Sequence, residues 1–314
     1  MPNIWTHLIF GQELLRNIGQ RELLTKDTSN LFHLGCQGPD FLFYHNFLPW
    51  KKDRRVNRLG EAIHHEHCGP FLVEMVRDLQ GRPIPDAAVI YVLGFLTHHV
   101  LDRNMHPYIH YKSGYVKWNH QRFEVILDTL TAKKFLGIET WKTPVWKQFD
   151  VGNHLPPDIV NMFQRIAGKY FPELASRIEA KDWNDAYRDM VRAQRFFHDP
   201  TGLKRLLTFG RIEPLVYKRK NSNRDYLNEA HEMWNHPGIL EETSTESFWD
   251  LWEKALSDGE AVIRETISFL TVSGESDAGV NHDSGLIEKI GNVSYDTGKP
   301  CSNRLELRYA KPII

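Results

Sequence analysis

Apolar residues along this chain recur mostly at helical spacing. Ile4, Leu8, Leu15 and Ile18, followed by Gly19, predict an amphipathic helix closed by a glycine. Behind Pro70, which suits a helix start, Phe71, Leu72, Met75, Val76 and Leu79 form a second stripe, so His64, His65 and His67 are expected just before a helix. Pro85 opens IPDAAVIYVLGFLTHHVLDRNMH, apolar nearly all round as far as His98, which predicts a buried central helix. Pro107 disfavours helical geometry at the residue before it and predicts that this helix ends at His106. Asn119 can cap a further helix over HQRFEVILDTLTAKKFL, and helical patterns follow at 157–171, 182–198, 200–209 and 244–271. Strand-like alternation is scarce and no internal repeat occurs, so the expected class is all-α, a multi-helix domain over 1–272. Asn30 to Trp50, rich in Gly, Pro and aromatics, reads as a loop with at most a helical turn. KKDRRVNR at 51–58 reads as a solvated charge run. The Gly, Ser, Asp and Asn content from Ser273 predicts a loosely ordered tail over 273–314, with SYDTGKPCS as a short return to the surface.

Charge narrows the function classes. Lys+Arg 39 against Asp+Glu 40 gives a formal charge of -1, which disfavours a general polyanion binder and a stable nucleic-acid partner. Cys36, Cys68 and Cys301 are odd in number and far apart in sequence, so neither a disulfide scaffold nor a CxxC metal site is expected and a reducing compartment fits. The start, MPNIWTHLIFGQELL, lacks a basic region, a continuous apolar run and a small-residue cleavage site, and no stretch approaches the ~18 apolar residues of a spanning helix. The expectation is a soluble, cytoplasmic protein with its oligomeric state left open.

Histidine changes the picture. Of 16 in the chain, 11 fall in residues 1–120, eight of them between His64 and His120. His98 and Asp102 are i, i+4, which sets them on one helix face with Cβ atoms about 5–6 Å apart, and His106 follows four residues on. His120 and Glu124 repeat the spacing on the next helix. Imidazole and carboxylate are zinc ligands, and an ionised Asp102 in so apolar a helix would be costly without a cation. His99 points about 100° away from His98 and reads as a supporting or core group, while His33, His45 and His110 read as structural. Asp128, four residues beyond Glu124, is a lesser candidate ligand, and Trp234, Trp249 and Trp252 read as core.

Five segments in one order, THLIFG, GPDFLFY, HHEHCGPFL, LTHHVLDRNMH and HQRFE, resemble the bacterial zinc-dependent phospholipase C family, related in fold to single-strand nucleases and to glycosylphosphatidylinositol-specific phospholipase D. The resemblance covers residues 2 to 130 well and the remainder loosely. It implies a phospholipase C/nuclease-like all-helical domain with two or three zinc ions at the bottom of a cleft. The first zinc would be held by Asp40, His98, Asp102 and one histidine of the 64–67 cluster. His65 is chosen there because the family's metal histidine precedes the Gly-Pro helix start by a few residues; His64 and His67 are the alternatives. His106, His120 and Glu124 would hold the second. His7 and a bridging Asp102 would hold the third, with the amine and carbonyl of a processed first residue in secreted relatives. The implied reaction is phosphodiester hydrolysis by metal-activated water, with Asp40 as catalytic base or as ligand, on a small phosphodiester or a phospholipid. With neither an export signal nor a Lys/Arg-rich interfacial helix, a soluble or short-chain substrate is expected over a packed bilayer. Rival readings are a nuclease or other phosphodiesterase on the same scaffold, for which YKRKNSNR at 217–224 is a local candidate, and a non-enzymatic metal-binding protein. An HD-type phosphohydrolase is disfavoured because His198-Asp199 and His282-Asp283 both adjoin turn-forming residues.

Overall fold

A computed structural model of the chain describes residues 4–271 and 283–314. Its helices are α1 (Ile4–Asn17), α2 (Ser29–Gly35), α3 (Arg55–His65), α4 (Cys68–Arg77), α5 (Ala87–Ser113), α6 (Asn119–Leu136), α7 (Pro157–Tyr170), α8 (Pro172–Ala175), α9 (Ala180–Phe197), α10 (Leu203–Leu207), α11 (Phe248–Thr271) and α12 (Ser284–Ile290). A short antiparallel hairpin, β1 (Trp234–His236) with β2 (Ile239–Ser244), is the exception to an all-α fold.

Helix α5 organises the molecule. The Asp86 carboxylate caps it by accepting from the backbone N–H groups of Ala88 (2.8 Å) and Val89 (3.4 Å). Its 27 residues span about 40 Å. Val89, Ile90, Val92, Phe95 and Val100 are fully buried, because α2 and α11 pack on it from two sides and α1, α4 and α6 fill the others. The helix continues through Pro107 to Ser113, past the end expected at His106. Proline removes one helical hydrogen bond, but Tyr108, Ile109 and Tyr111 are buried beyond it, and that packing carries the helix on.

Three further segments differ from expectation. Residues 30–50 hold α2 and a 3-10 helix, Gly38–Tyr44, rather than a loop; Phe32, Leu34, Phe41 and Leu42 are buried, and two short turns of different pitch leave no sustained period to read. The second half of the charge run starts α3, whose Val56, Leu59 and Ile63 form a buried stripe while Arg55 pairs with Asp182 (2.7 Å). His64 and His65 therefore end one helix as well as preceding the next, α4, which starts at Cys68 as expected. The C-terminal residues from Asp283 are packed rather than loose: Leu286 and Ile290 of α12 are buried beside α4 and α11, and Tyr295 is fully buried. The first part of that expected tail, 273–282, lies outside the described residues. The turn also brings the Cys301 sulfur to 3.4 Å from that of Cys68.

Candidate metal centre

Each chemistry-bearing side chain is held from behind by the fold. The free N–H groups at the start of α1 are met by Asp128 of α6, whose carboxylate accepts from Trp5 N (3.0 Å), Thr6 N (2.8 Å), the Thr6 hydroxyl (2.6 Å) and the Tyr217 hydroxyl (2.6 Å). This anchorage presents His7 to Asp102. The stripe His98, Asp102, His106 faces the same space from α5. Three imidazoles share one arrangement, with Nδ1 placed to donate to a backbone carbonyl: His64 to Gly60 (2.6 Å), His98 to Cys36 (3.1 Å) and His106 to Tyr295 (3.1 Å). That fixes the tautomer and leaves each Nε2 as a lone pair aimed inward. Gly38 permits the approach of the 3-10 helix: its φ is +51°, and a Cβ there would lie 2.1 Å from Cδ2 of His98.

Those lone pairs face carboxylate oxygens. Nε2 of His98 is 3.0 Å from Oδ2 of Asp102; Nε2 of His7 and of His106 lie 3.2 Å and 3.5 Å from its Oδ1. Asp40 Oδ1 is 3.0 Å from His64 Nε2 and 3.9 Å from His98 Nε2. Glu124 Oε1 is 3.0 Å from His120 Nε2 and 3.5 Å from His106 Nε2. Five donor sets among the described residues have ligand atoms within 4.8 Å of one another, and three of them are built from these contacts: Asp40, His64 and His98; His7, His98 and Asp102; His106, His120 and Glu124; the other two are His106, His110 and Asp296, and His45, Asp182 and Asp185. Among the described residues, Nε2 of His98 and of His106, Oδ2 of Asp40 and Oδ2 of Asp102 have no hydrogen-bond partner although buried. Burial opposes ionisation of Asp102, yet the imidazoles of His106, His98 and His7 hold its carboxyl well below the usual range. Glu124 is held low in the same way, against burial, by His120 and His106. The positive charge these carboxylates require is supplied by protons on the imidazoles or, in place of those protons, by bound cations, and the donor types suit zinc.

The structure thus brings together His7, Asp40, His98, Asp102, His106, His120 and Glu124, and corrects the eighth choice. His64 is buried against Asp40, whereas the side chain of His65, 50% exposed, lies 3.4 Å from Asp296. Neighbours on a helix point about 100° apart, so only one can face inward. His67 packs tilted against Tyr170 and edge-on against Phe171 instead. Asp128 anchors α1 and joins none of the three sets. His99 donates to Val293 O (2.8 Å) in the expected supporting role. Tyr295 and Asp296 were missed in sequence: the Tyr295 ring packs 4.8 Å from that of His64 and 4.5 Å from that of His99, and Asp296 is 3.1 Å from His110. The run that carries them had only its polar composition to show.

Two of the three sets, through Asp40 and His64 and through His106 and His120, open into a cleft of about 1340 Å³, while His7, Asp102, His106 and Glu124 line a smaller cavity. Asp40, His64, His106, His120 and Asp296 lie at its metal-centre end; Phe43, Phe47, Trp50, Trp118, Phe197 and Phe209 give it apolar walls. Residues 6–177 match the model of a protein family described as zinc dependent phospholipase C. The chain belongs to this family. No curated protein and no solved structure matches it. All the residues of the three donor sets fall inside the region matched to zinc-dependent phospholipase C, while Tyr295, Asp296 and part of the cleft wall, including Phe197 and Phe209, fall outside it.

Proposed function

We propose that the protein is a zinc-dependent phosphodiester hydrolase that cleaves phospholipids. The observation that carries this reading is the convergence of buried imidazole lone pairs and carboxylates at one end of an apolar-walled cleft. Asp40, His64, His98 and Asp102 would hold a first ion, His106, His120 and Glu124 a second, and His7 with Asp102 a third. Bound zinc supplies Lewis acidity toward water and the phosphoryl oxygens. The protein's own part is to fix the ligand rings, through Gly60, Cys36 and Tyr295 carbonyls, and to keep the charged carboxylates dry. Asp40 lines the cleft with Oδ2 unpartnered, in position to take a proton from the attacking water. The apolar walls favour a diester carrying hydrocarbon over a nucleotide chain.

The test combines elemental analysis with turnover. Purified protein reconstituted with zinc is expected to retain two or three ions and to hydrolyse a short-chain phosphatidylcholine. Asp102→Asn should lose ions from both sets it joins, with activity falling by at least about a hundredfold. Full metal content and full activity in Asp102→Asn would remove the bridging assignment. Fewer than one ion per chain in the parent protein would remove the reading itself.

A further inference from the structure

The segment from Val293 to Gly298 lies beyond the part of the chain matched to the family, yet it is built into the metal centre. Tyr295 N and the Ser294 hydroxyl both donate to the His64 carbonyl, at 3.2 Å and 3.4 Å. Pro107 leaves the Arg103 carbonyl without its helical donor, and Gly298 packs directly against that oxygen. With φ +62° and only 2.3 Å between a Cβ and the Arg103 oxygen, position 298 accommodates only glycine. The turn therefore seats on α5 in one register.

That register sets Asp296 among three imidazoles. Its Oδ1 is 3.1 Å from His110 Nε2 and 3.4 Å from His106 Nδ1, and its Oδ2 is 3.4 Å from His65 Nε2. His106 Nδ1 also faces the Tyr295 carbonyl at 3.1 Å. Of the three ligand-set histidines held from behind by carbonyls, His106 is the one with a carboxylate there as well. A carboxylate behind a ligating imidazole fixes ring plane and tautomer and strengthens the opposite nitrogen as a donor to metal.

We propose that Asp296 is a positioning residue for the second metal set: with the Tyr295 carbonyl it holds His106 so that Nε2 meets His120 and Glu124, while His110 keeps the carboxylate itself in place. This inference rests on the zinc reading of the site. It makes the C-terminal turn, in addition to the region typical of the family, a working part of the centre.

The experiment measures zinc affinity ion by ion, by competition with a chromophoric chelator, and the visible spectrum of the cobalt-substituted protein. Asp296→Ala is expected to bind one ion about 10–100-fold more weakly, with the remaining affinity unchanged and one component of the cobalt spectrum altered. Asp296→Glu should restore part of the loss. Asp296→Asn, close in shape, should fall between and serves if the alanine variant folds poorly. Unchanged affinities in a folded Asp296→Ala or Asp296→Asn would overturn the proposal. So would loss of every ion together with a lowered melting temperature of the zinc-free protein, the pattern of a purely structural role. Wild-type protein that takes up no zinc removes the zinc reading and this one with it; normal uptake by wild type and unaffected variants removes this one alone.

Discussion

At the scale of single residues, the helix period made the candidate ligands legible. His98, Asp102 and His106, then His120 and Glu124, stand four apart, and a 3.6-residue turn must gather them on one face whatever surrounds the helix. The same period decides between His64 and His65, but only once the end of α3 is known, and the charge run masked that helix. His64→Ala should therefore cost the first set its ion, while His65→Ala leaves ion stoichiometry intact; atomic absorption on the two variants separates them. A second residue-scale expectation concerns acid. His33 is 4% exposed, and burial lowers its pKa to about 4, only partly offset by its bond to the Gln148 carbonyl. Its folded pKa lies below the 6.5 of the unfolded chain, so the unfolded state binds the extra proton. Stability is full above pH 6.5 and falls as pH drops toward 4, by roughly 3 kcal/mol in all. Urea midpoints between pH 7 and 4 should show this slope, and His33→Gln should make it shallower, with His99 and His110, also lowered by burial, supplying part of what remains.

At the scale of elements, what the sequence hid was how short turns meet long helices. The strong period of α5 announced a buried helix, and the packed residues beyond Pro107 extended it; nothing local in residues 30–50 announced α2 and the 3-10 helix, because their stability comes from the walls of α5, α3 and α9. Gly38 against His98 is among the closest of these meetings. Gly38→Ala would put a methyl group 2.1 Å from the imidazole carbon while holding a left-handed backbone, an overlap that must be relieved by moving the ring. The expected cost is about 2–4 kcal/mol in urea unfolding, with the first metal set disrupted. A variant with parental stability and full zinc content would show that the ring has room to yield.

At the scale of the whole molecule, the helical class and the metal centre could be read from sequence, but the working surface could not, since it is assembled from segments far apart in the chain. Trp50 follows the 3-10 helix, Trp118 precedes α6, and Leu207 and Phe209 belong to α10 and the turn after it; each looks unremarkable alone. At the cleft mouth they are uncovered, with Phe209 92% exposed, Leu207 69% and Trp50 69%. Lys51, Lys52, Arg205 and Arg211 are interleaved with them in sequence. Among the described residues no helix is long and apolar enough to cross a membrane, and the mouth does not need one to meet lipid: aromatic and aliphatic tips beside cations suit the edge of a bilayer. The mouth therefore predicts more activity on packed lipid than the sequence alone does. With a phospholipid substrate, vesicles of phosphatidylcholine and phosphatidylserine in equal amounts should be bound and turned over, and single-stranded oligonucleotide should be turned over slowly if at all. Replacing Leu207 and Phe209 with serine should weaken vesicle binding by at least about tenfold, since each apolar side chain buried contributes on the order of 1.5–3 kcal/mol. Flotation with vesicles reads binding without turnover. If the serine variant floats as well as the parent, the mouth is not the docking face; if oligonucleotide is the faster substrate, the aromatic walls serve base stacking and the activity belongs to the nuclease branch.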